Sequence, residues 1–590
     1  MAKEDVMGVN YREEYRKYII GMNSFMFIVT LAILSSLIIE YGFIVPQRIK
    51  NFIFFFDLFV LFSFILENTL KFFIATEKML FIKRHWPDWA WMGFLFFYLV
   101  SLFIELFFFP EFPPLLDILL ITKVYILFSR MYLIFKFLLE RRTVKGFFVN
   151  LNIKPAQTLA YSYLAAILAG SILLMLPAAT AGSKGIKFID ALFTITSATA
   201  VTGLTVVDTG AFFTAFGQII ILIFIQLGGL GIMTFSAFFA TIFGRGFGIR
   251  DRMIMQDVLD FTGMGEIMDL IKRIFNLTIA IELTGAFILF LRFYAEGKGV
   301  SWSVYNALFH SISAFCNAGF SLFSNNLEGY KGDIIVNLVI TTLIILGGIG
   351  FPVLVNLQSY FLKRQHRRHL GLQTKVVVNV SLFLIIAGAV LIFVSEAGGQ
   401  LQNLSWHEKI LTTYFQSVTT RTAGFNTINM EALSNGTLFI MAILMFIGAS
   451  PGSTGGGIKT TTIAILFSAA RAWLSGKDVP ELFERTIPQD AVQKSFALLF
   501  IAQAAVAVVA FLLFITEKAP FINILFEVVS AFGTVGLSTG LTPHLSDAGK
   551  LLISLMMYMG RIGPLTLALL VGQKVVKRYY YYPEEKVMIG

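Results

Sequence analysis

Four glycines, Gly203, Gly319, Gly424 and Gly536, recur 116, 105 and 112 residues apart (319 − 203, 424 − 319, 536 − 424). Each lies in a short stretch of similar pattern: ALFTITSATAVTGLT (191–205), ALFHSISAFCNAGFS (307–321), TYFQSVTTRTAGFN (413–426) and ILFEVVSAFGTVGLS (524–538). Aligned on the glycine, each has an aromatic ring ten residues upstream (Phe193, Phe309, Tyr414, Phe526). Three have serine six upstream (Ser197, Ser313, Ser530), and Val418 stands in the third. The chemistry open to such stretches belongs to the backbone. A short helix followed by an extended glycine-containing strand aims a row of carbonyl oxygens at an axis, and four such strands make rings of carbonyls that replace a cation's water shell. Glycine takes backbone angles that turn consecutive carbonyls to one side, and it leaves room for the ion. The candidate cation-lining residues are Ala200, Val201, Thr202 and Gly203; Cys316, Asn317, Ala318 and Gly319; Arg421, Thr422, Ala423 and Gly424; and Gly533, Thr534, Val535 and Gly536.

A second pattern follows each glycine. GGLGIM begins at Gly228, GGIGFP at Gly347, GASPGSTGGG at Gly448 and GRIGPL at Gly560, at offsets of 25, 28, 24 and 24 residues (228 − 203, 347 − 319, 448 − 424, 560 − 536). The third stretch continues as GASPGSTGGGIKTTT and resembles a phosphate-binding loop, but Ile458 separates Gly457 from Lys459, and no strand precedes it. Its glycines (Gly448, Gly452, Gly455, Gly456, Gly457) and Pro451 are poor helix formers, at about 1 and 3 kcal/mol per residue. The sequence therefore predicts an unwound segment at membrane depth, which is tolerated only where it lines a cavity. We read it, with Lys459, as an intramembrane gate. Arg561 falls at the matching depth of the fourth stretch, where a charge is costly and functional by default. Two gate roles are open to it, cationic barrier or donor to the loop's carbonyls, against a structural ion pair.

The elements that must position these residues follow from composition. The chain has 590 residues, 57% hydrophobic and 14% charged, with 63 phenylalanines. A soluble domain carries about 25% charge, so this is an integral membrane protein. Its net charge of +10 belongs to cytoplasmic loops and not to nucleic-acid binding. The single cysteine, Cys316, excludes an intrachain disulfide. No cleavable signal peptide is expected, because the polar start is followed by a long apolar span. His366 and His369 form H-x-x-H among Lys363, Arg364, Arg367 and Arg368, which reads as a solvated basic loop and not a metal site.

Apolar spans occur at about 18–41, 51–75, 89–109 and 114–139, then in pairs at 157–178 with 216–243, 270–295 with 333–361, 376–396 with 436–469 and 493–516 with 549–572. Each glycine stretch lies between the members of a pair. Clusters at Lys78–Arg84, Arg141–Lys154, Arg245–Arg252, Lys363–Arg368 and Lys574–Arg578 all fall on one side if both termini are cytoplasmic. The expected fold is all-α and membrane-embedded: four pseudo-repeats of helix, pore helix with filter loop, and helix around one central pore, plus four N-terminal transmembrane helices. The boundaries are 1–145 for the N-terminal bundle, then 150–260, 261–370, 371–480 and 481–590 for the repeats.

TVG at 534–536 is similar to the T-V-G-Y-G loop of potassium channels. The chain resembles the Trk/Ktr/HKT superfamily of potassium transporters, closest to the Ktr-type and TrkH-type pore subunits. The matching stretches are PAQTLAYSYLAAILAGSILLMLPAA (155–179), ALFTITSATAVTGLTVVDTG (191–210), IQLGGLGIMTF (225–235), FCNAGFS (315–321), TTRTAGFNTI (419–428) and the glycine-rich segment, over about residues 150–575. The resemblance implies potassium uptake across the cell membrane, with K+ held by backbone carbonyls and no cofactor on this chain. It implies a homodimer and a cytosolic nucleotide-binding regulatory ring as partners. Within the superfamily, glycine at all four filter positions goes with potassium, and serine at the first goes with sodium permeation. A sodium-permeable relative is the alternative; a membrane-embedded enzyme would need clustered acids, histidines or a nucleophile at membrane depth, and the sequence offers isolated ones.

The N-terminal 145 residues lie outside the core resemblance. FILENTLKFF (64–73) resembles the second helix of voltage-sensor domains, but Lys123, Arg130 and Lys136 are spaced 7 and 6 apart (130 − 123, 136 − 130), too sparsely for a sensor with a basic residue at every third position. A peripheral four-helix bundle with snorkelling cations is the reading, a voltage-sensor-like fold its alternative.

Overall fold

The computed structural model describes residues 15–43, 45–93, 155–182, 184–231, 267–362 and 370–563, together with Glu585. The spans expected at 114–139 and over most of 89–109, Lys123, Arg130, Lys136, His366, His369 and most of the basic loops used for orientation lie outside these residues.

Helices dominate. The N-terminal part holds α1 (Arg16–Gly42), α2 (Gln47–Ile74) and α3 (Lys78–Arg84). Met26, Val29 and Ile33 of α1 pack on Val60 and Phe64 of α2. In α2 the buried Lys71 pairs with Glu67 at 2.5 Å. The remaining helices are α4 (Pro155–Leu174), α5 (Phe188–Thr199) and α6 (Ala215–Leu230); α7 (Ile267–Ala295), α8 (Val300–Phe315), α9 (Ile334–Gly348) and α10 (Phe351–Leu362); α11 (Leu372–Glu396), α12 (Trp406–Thr419), α13 (Asn435–Phe446) and α14 (Thr460–Leu474); α15 (Gln489–Thr516), α16 (Phe521–Gly533) and α17 (Asp547–Ile562). Among the described residues, Leu270–Ala295, Leu372–Glu396 and Gln489–Thr516 are long and apolar enough to cross a membrane. Phe287, Leu382 and Phe511 on them are exposed, as lipid-facing side chains should be.

Starts and breaks are dictated locally. Oxygen-bearing side chains cap the helix that follows each glycine stretch: Thr214 for α6, Asp333 for α9, Ser434 for α13 and Ser546 for α17. Each accepts from a backbone N–H of the first turn. Two of the expected spans are interrupted, one of them at the glycine-rich stretch that predicts it. The 333–361 span bends by 104° between α9 and α10, where Gly350 takes φ 95°. The 436–469 span unwinds between Phe446 and Thr460. Among the described residues, one element departs from an all-helical reading, a small antiparallel hairpin of β1 (Glu481–Leu482) and β2 (Arg485–Thr486).

The apolar core lies between repeats. One cluster joins Phe193, Ala200 and Leu204 to Met441, Met445, Phe526 and Val535. A second joins Phe315 and Ile344 to Phe415, Ala423 and Phe425. A third joins Ile195 and Val201 to Phe309, Cys316 and Ala318. Polar links close the circle, including Tyr305 to Gln218 (2.7 Å), Asn426 to Glu328 (3.1 Å) and Lys550 to Asp190 (2.6 Å).

Candidate functional site

The short helices α5, α8, α12 and α16 end three to five residues before Gly203, Gly319, Gly424 and Gly536. Each leads with the negative end of its dipole into the glycine loop, an arrangement that favours cations. The glycines take φ 98°, 68°, 80° and 92°, and two residues earlier Val201, Asn317, Thr422 and Thr534 are also left-handed, at 57°, 60°, 71° and 50°. A left-handed angle at alternate positions turns successive carbonyls to the same side of the strand. For valine, a β-branched residue, that conformation is a genuine outlier, stable only when its surroundings impose it. Glycine composition gave no sign of these four.

The loops are anchored to their own helices. Thr202, Ala318 and Val535 donate their N–H to the carbonyls of Ser197, Ser313 and Ser530 at 2.7, 2.7 and 2.8 Å. The hydroxyls of Ser197 and Ser530 accept from the N–H of Gly203 and Gly536 at 3.0 and 3.1 Å, while that of Ser313 donates to the Phe320 carbonyl at 2.8 Å. The third repeat is shifted by one residue relative to the alignment on its glycine. There Thr419, not Val418, makes the link, donating to the Phe425 carbonyl at 2.6 Å. Phe415, not Tyr414, is the fully buried ring.

The four glycines close on one another. A Cβ added to Gly203 would lie 2.6 Å from the Ala318 carbonyl oxygen, one on Gly319 2.7 Å from that of Ala423, and one on Gly424 2.5 Å from that of Val535. On Gly536 it would overlap the Thr202 carbonyl oxygen. The order 203, 319, 424, 536 and back to 203 is therefore cyclic, and no side chain fits. Around this ring Ala200 and Cys316 end their helices in the ordinary right-handed conformation. The Cys316 thiol lies 3.5 Å from Gln226 and 3.9 Å from Glu282. Arg421 lines a cavity of about 20 Å³ with Ile345, Ser381 and Ile385.

Beyond the ring, Gly228, Gly347 and Gly560 press against the carbonyls of Thr199, Phe315 and Phe532, each four residues before the glycine of its own repeat. Three residues on, Gly231, Gly350 and Gly563 take φ 81°, 95° and 94° and end or bend the helix. The third repeat differs: Gly448 packs on Gly456 instead, within the unwound segment. That segment is held from several sides. Ser450 and Thr454 donate their N–H to the carbonyls of Gly348 (3.0 Å) and Gly347 (3.2 Å), and Phe351 donates to Gly452 (2.8 Å). Pro451 lies against Gly350. Gly456 donates to the Thr534 hydroxyl at 2.8 Å. The absent Cβ of Gly455 would overlap the Thr422 hydroxyl, and that of Gly457 would lie 3.3 Å from Gly533. Lys459 turns back to the Gly455 carbonyl at 2.8 Å. Arg561 donates to the carbonyls of Thr454 and Gly228.

Among the buried acids that the sequence pattern did not single out, two stand close to the glycine loops. Glu282 in α7 accepts from Gln226 at 3.1 Å, and Glu527 in α16 is wholly enclosed. For Glu282 the signal was available, since it lies in the 270–295 span and an ionisable residue inside an apolar span is functional by default. Among the described residues no group of three His, Cys, Asp or Glu side chains is placed to hold a metal.

Fold and site together define a helical integral membrane protein in which four glycine loops close on one another in a ring. The family described as TrkH, cation transport protein, matches residues 131–577, and the chain belongs to it. It is 43% identical over 438 residues to Ktr system potassium uptake protein B of Bacillus subtilis, covering 74% of this chain and 97% of that one. It is 38% identical over 453 residues to potassium/sodium uptake protein NtpJ of Enterococcus hirae, covering 75% and 98%. The crystal structure of the potassium transporter TrkH from Vibrio parahaemolyticus shares the fold, with TM-score 0.56 at 17% identity, over 82% of this chain and 96% of that one. Membership of a family of cation transport proteins sets the enzyme reading aside.

Proposed function

We propose that this chain is the membrane subunit of a potassium uptake system, passing K+ through the four-glycine ring as a carbonyl selectivity filter. The observation that carries the reading is the cyclic closure of Gly203, Gly319, Gly424 and Gly536, each against the carbonyl of the residue preceding the next glycine. The names of the relatives support potassium as cargo. The membrane potential supplies about 2.3 kcal/mol per charge per 100 mV for inward movement. The unwound segment 448–459 is the gate beneath the filter, with Arg561 as its latch. Residues 1–145 form a peripheral bundle, and 150–260, 261–370, 371–480 and 481–590 are the four pore repeats. The working unit is a homodimer in the cell membrane, with both termini cytoplasmic and a cytosolic nucleotide-binding ring as regulator.

A second reading, permeation of sodium as well, is favoured by the relative named for both ions. Rubidium uptake into proteoliposomes of the purified chain, with potassium or sodium as competitor, decides between them. Competition by potassium at far lower concentration than sodium supports the first reading, equal competition the second, and no uptake of either ion refutes both.

A further inference from the structure

We propose that Glu527 and His310 are positioning residues that set cation selectivity, by fixing the chain just outside the glycine ring on two facing sides. This rests on the reading of the ring as the filter. Both side chains are fully buried, and both stand nine residues before the glycine of their repeat (536 − 527, 319 − 310). Each reaches the serine two residues beyond that glycine. Glu527 accepts from the Ser538 hydroxyl at 2.5 Å, the Thr539 N–H at 3.1 Å and the Thr542 hydroxyl at 2.7 Å. His310 Nδ1 lies 2.8 Å from the Asn306 carbonyl, which can only accept, so that nitrogen carries the proton. Nε2 then accepts from the Ser321 hydroxyl at 3.0 Å and the Leu322 N–H at 3.4 Å.

The other two repeats lack this brace. Thr194, at the same place in the first, donates to Asp190 of its own helix at 2.8 Å. In the third, the one-residue shift puts Gln416 there, and neither of its amide atoms has a partner. In the cyclic order of the glycines, the second and fourth repeats face each other across the axis, so the two braces oppose one another. The chain beyond Gly536 has no regular structure as far as the short turn at Thr542–His544, and Glu527 supplies the acceptors that its donors need. A buried donor left unpaired would drive a local rearrangement. The carbonyls between Gly536 and Ser538 would move with it, and selectivity depends on the number and placement of those oxygens.

The test is the potassium-to-sodium permeability ratio of the full-length chain in proteoliposomes, from rubidium uptake against each competitor. Glu527→Ala and His310→Ala are expected to lower the ratio by about fivefold or more, which corresponds to about 1 kcal/mol. Glu527→Gln, which keeps an acceptor oxygen, should recover most of it. Ser538→Ala and Ser321→Ala remove one hydroxyl each, should act in the same direction, and carry the test if the alanine variants of the buried groups do not fold. Gly536→Ser, in the ring itself, separates the two ideas. A ratio altered by Gly536→Ser but unchanged in all four brace variants overturns this proposal and leaves the filter standing. A ratio unchanged in all five overturns the filter, and the proposal with it.

Discussion

The Arg561 guanidinium donates to the backbone carbonyl of Thr454, joining α17 in the fourth repeat to the middle of the unwound segment of the third. Its second bond, to the Gly228 carbonyl, reaches the first repeat. A single cation thus fastens the segment beneath the ring to two other repeats.

Arg561→Ala should therefore loosen the segment and raise basal rubidium flux. A hydrogen bond to a charged group is worth about 1.5–3 kcal/mol, enough to shift a two-state balance by about tenfold. Arg561→Lys should fall between the two, because an ammonium lacks the planar fork that serves two carbonyls at once. A flux at or below that of the unaltered protein, in well-folded Arg561→Ala, would count against the latch.

Removing Gly452 to Gly457 should raise flux further, since a segment that blocks by occupying the cavity has no closed state once it is gone. The effect should require no ATP on this chain. Flux and ATP binding are to be measured on the same purified deletion variant. Lower flux accompanied by lost ATP binding would restore the phosphate-loop reading of the segment.

Gly203→Ser should weaken discrimination between potassium and sodium. At φ 98° a side chain is strained, and its Cβ would lie 2.6 Å from the Ala318 carbonyl oxygen. The loop must shift or the ring must open. Unaltered relative permeability at normal expression would remove Gly203 from the filter.

The register of the third repeat can be tested by stability. Thr419→Val keeps the shape of the side chain but deletes its bond to the Phe425 carbonyl, as Ser197→Ala deletes the acceptor for the Gly203 N–H. Each should cost about 1–3 kcal/mol, the penalty of a buried group left unpaired, and lower the thermal midpoint in detergent. If Thr419→Val is silent while Ser197→Ala is not, the one-residue shift is wrong.

Deleting residues 1–145 should leave a folded, conducting core. Among the described residues, α1 meets the core at the short turn Pro177–Ala179, with Gly42 close to Leu176, outside the four glycine stretches. A truncated protein that inserts but carries no rubidium at any voltage would place the bundle within the permeation machinery.

The glycine pattern was legible because its cause is steric and local. A backbone pressed against a carbonyl leaves no room for a Cβ, so Gly203, Gly319, Gly424 and Gly536 mark themselves at any sequence separation. Gly228, Gly347 and Gly560 do the same, and the unwound segment announced itself through five glycines and a proline in ten residues. Apolar length marked the spans, though not the places where Gly350 and the 448–459 segment break them. What only the tertiary structure decided is everything that depends on a partner distant in the chain. Val201 and Thr534 are left-handed because their surroundings force them, and neither residue type prefers that conformation. The shift that puts Thr419 and Phe415 to work in place of Val418 and Tyr414 is set by how α12 packs against its neighbours, since a helix can be displaced by one residue while its glycine stays fixed in the ring. Glu527 and His310 are ordinary letters in the sequence, and Arg561, marked there by its depth, has no partner residue named by the sequence. Their meaning comes from Ser538, Ser321 and Thr454, which folding brings within hydrogen-bonding reach.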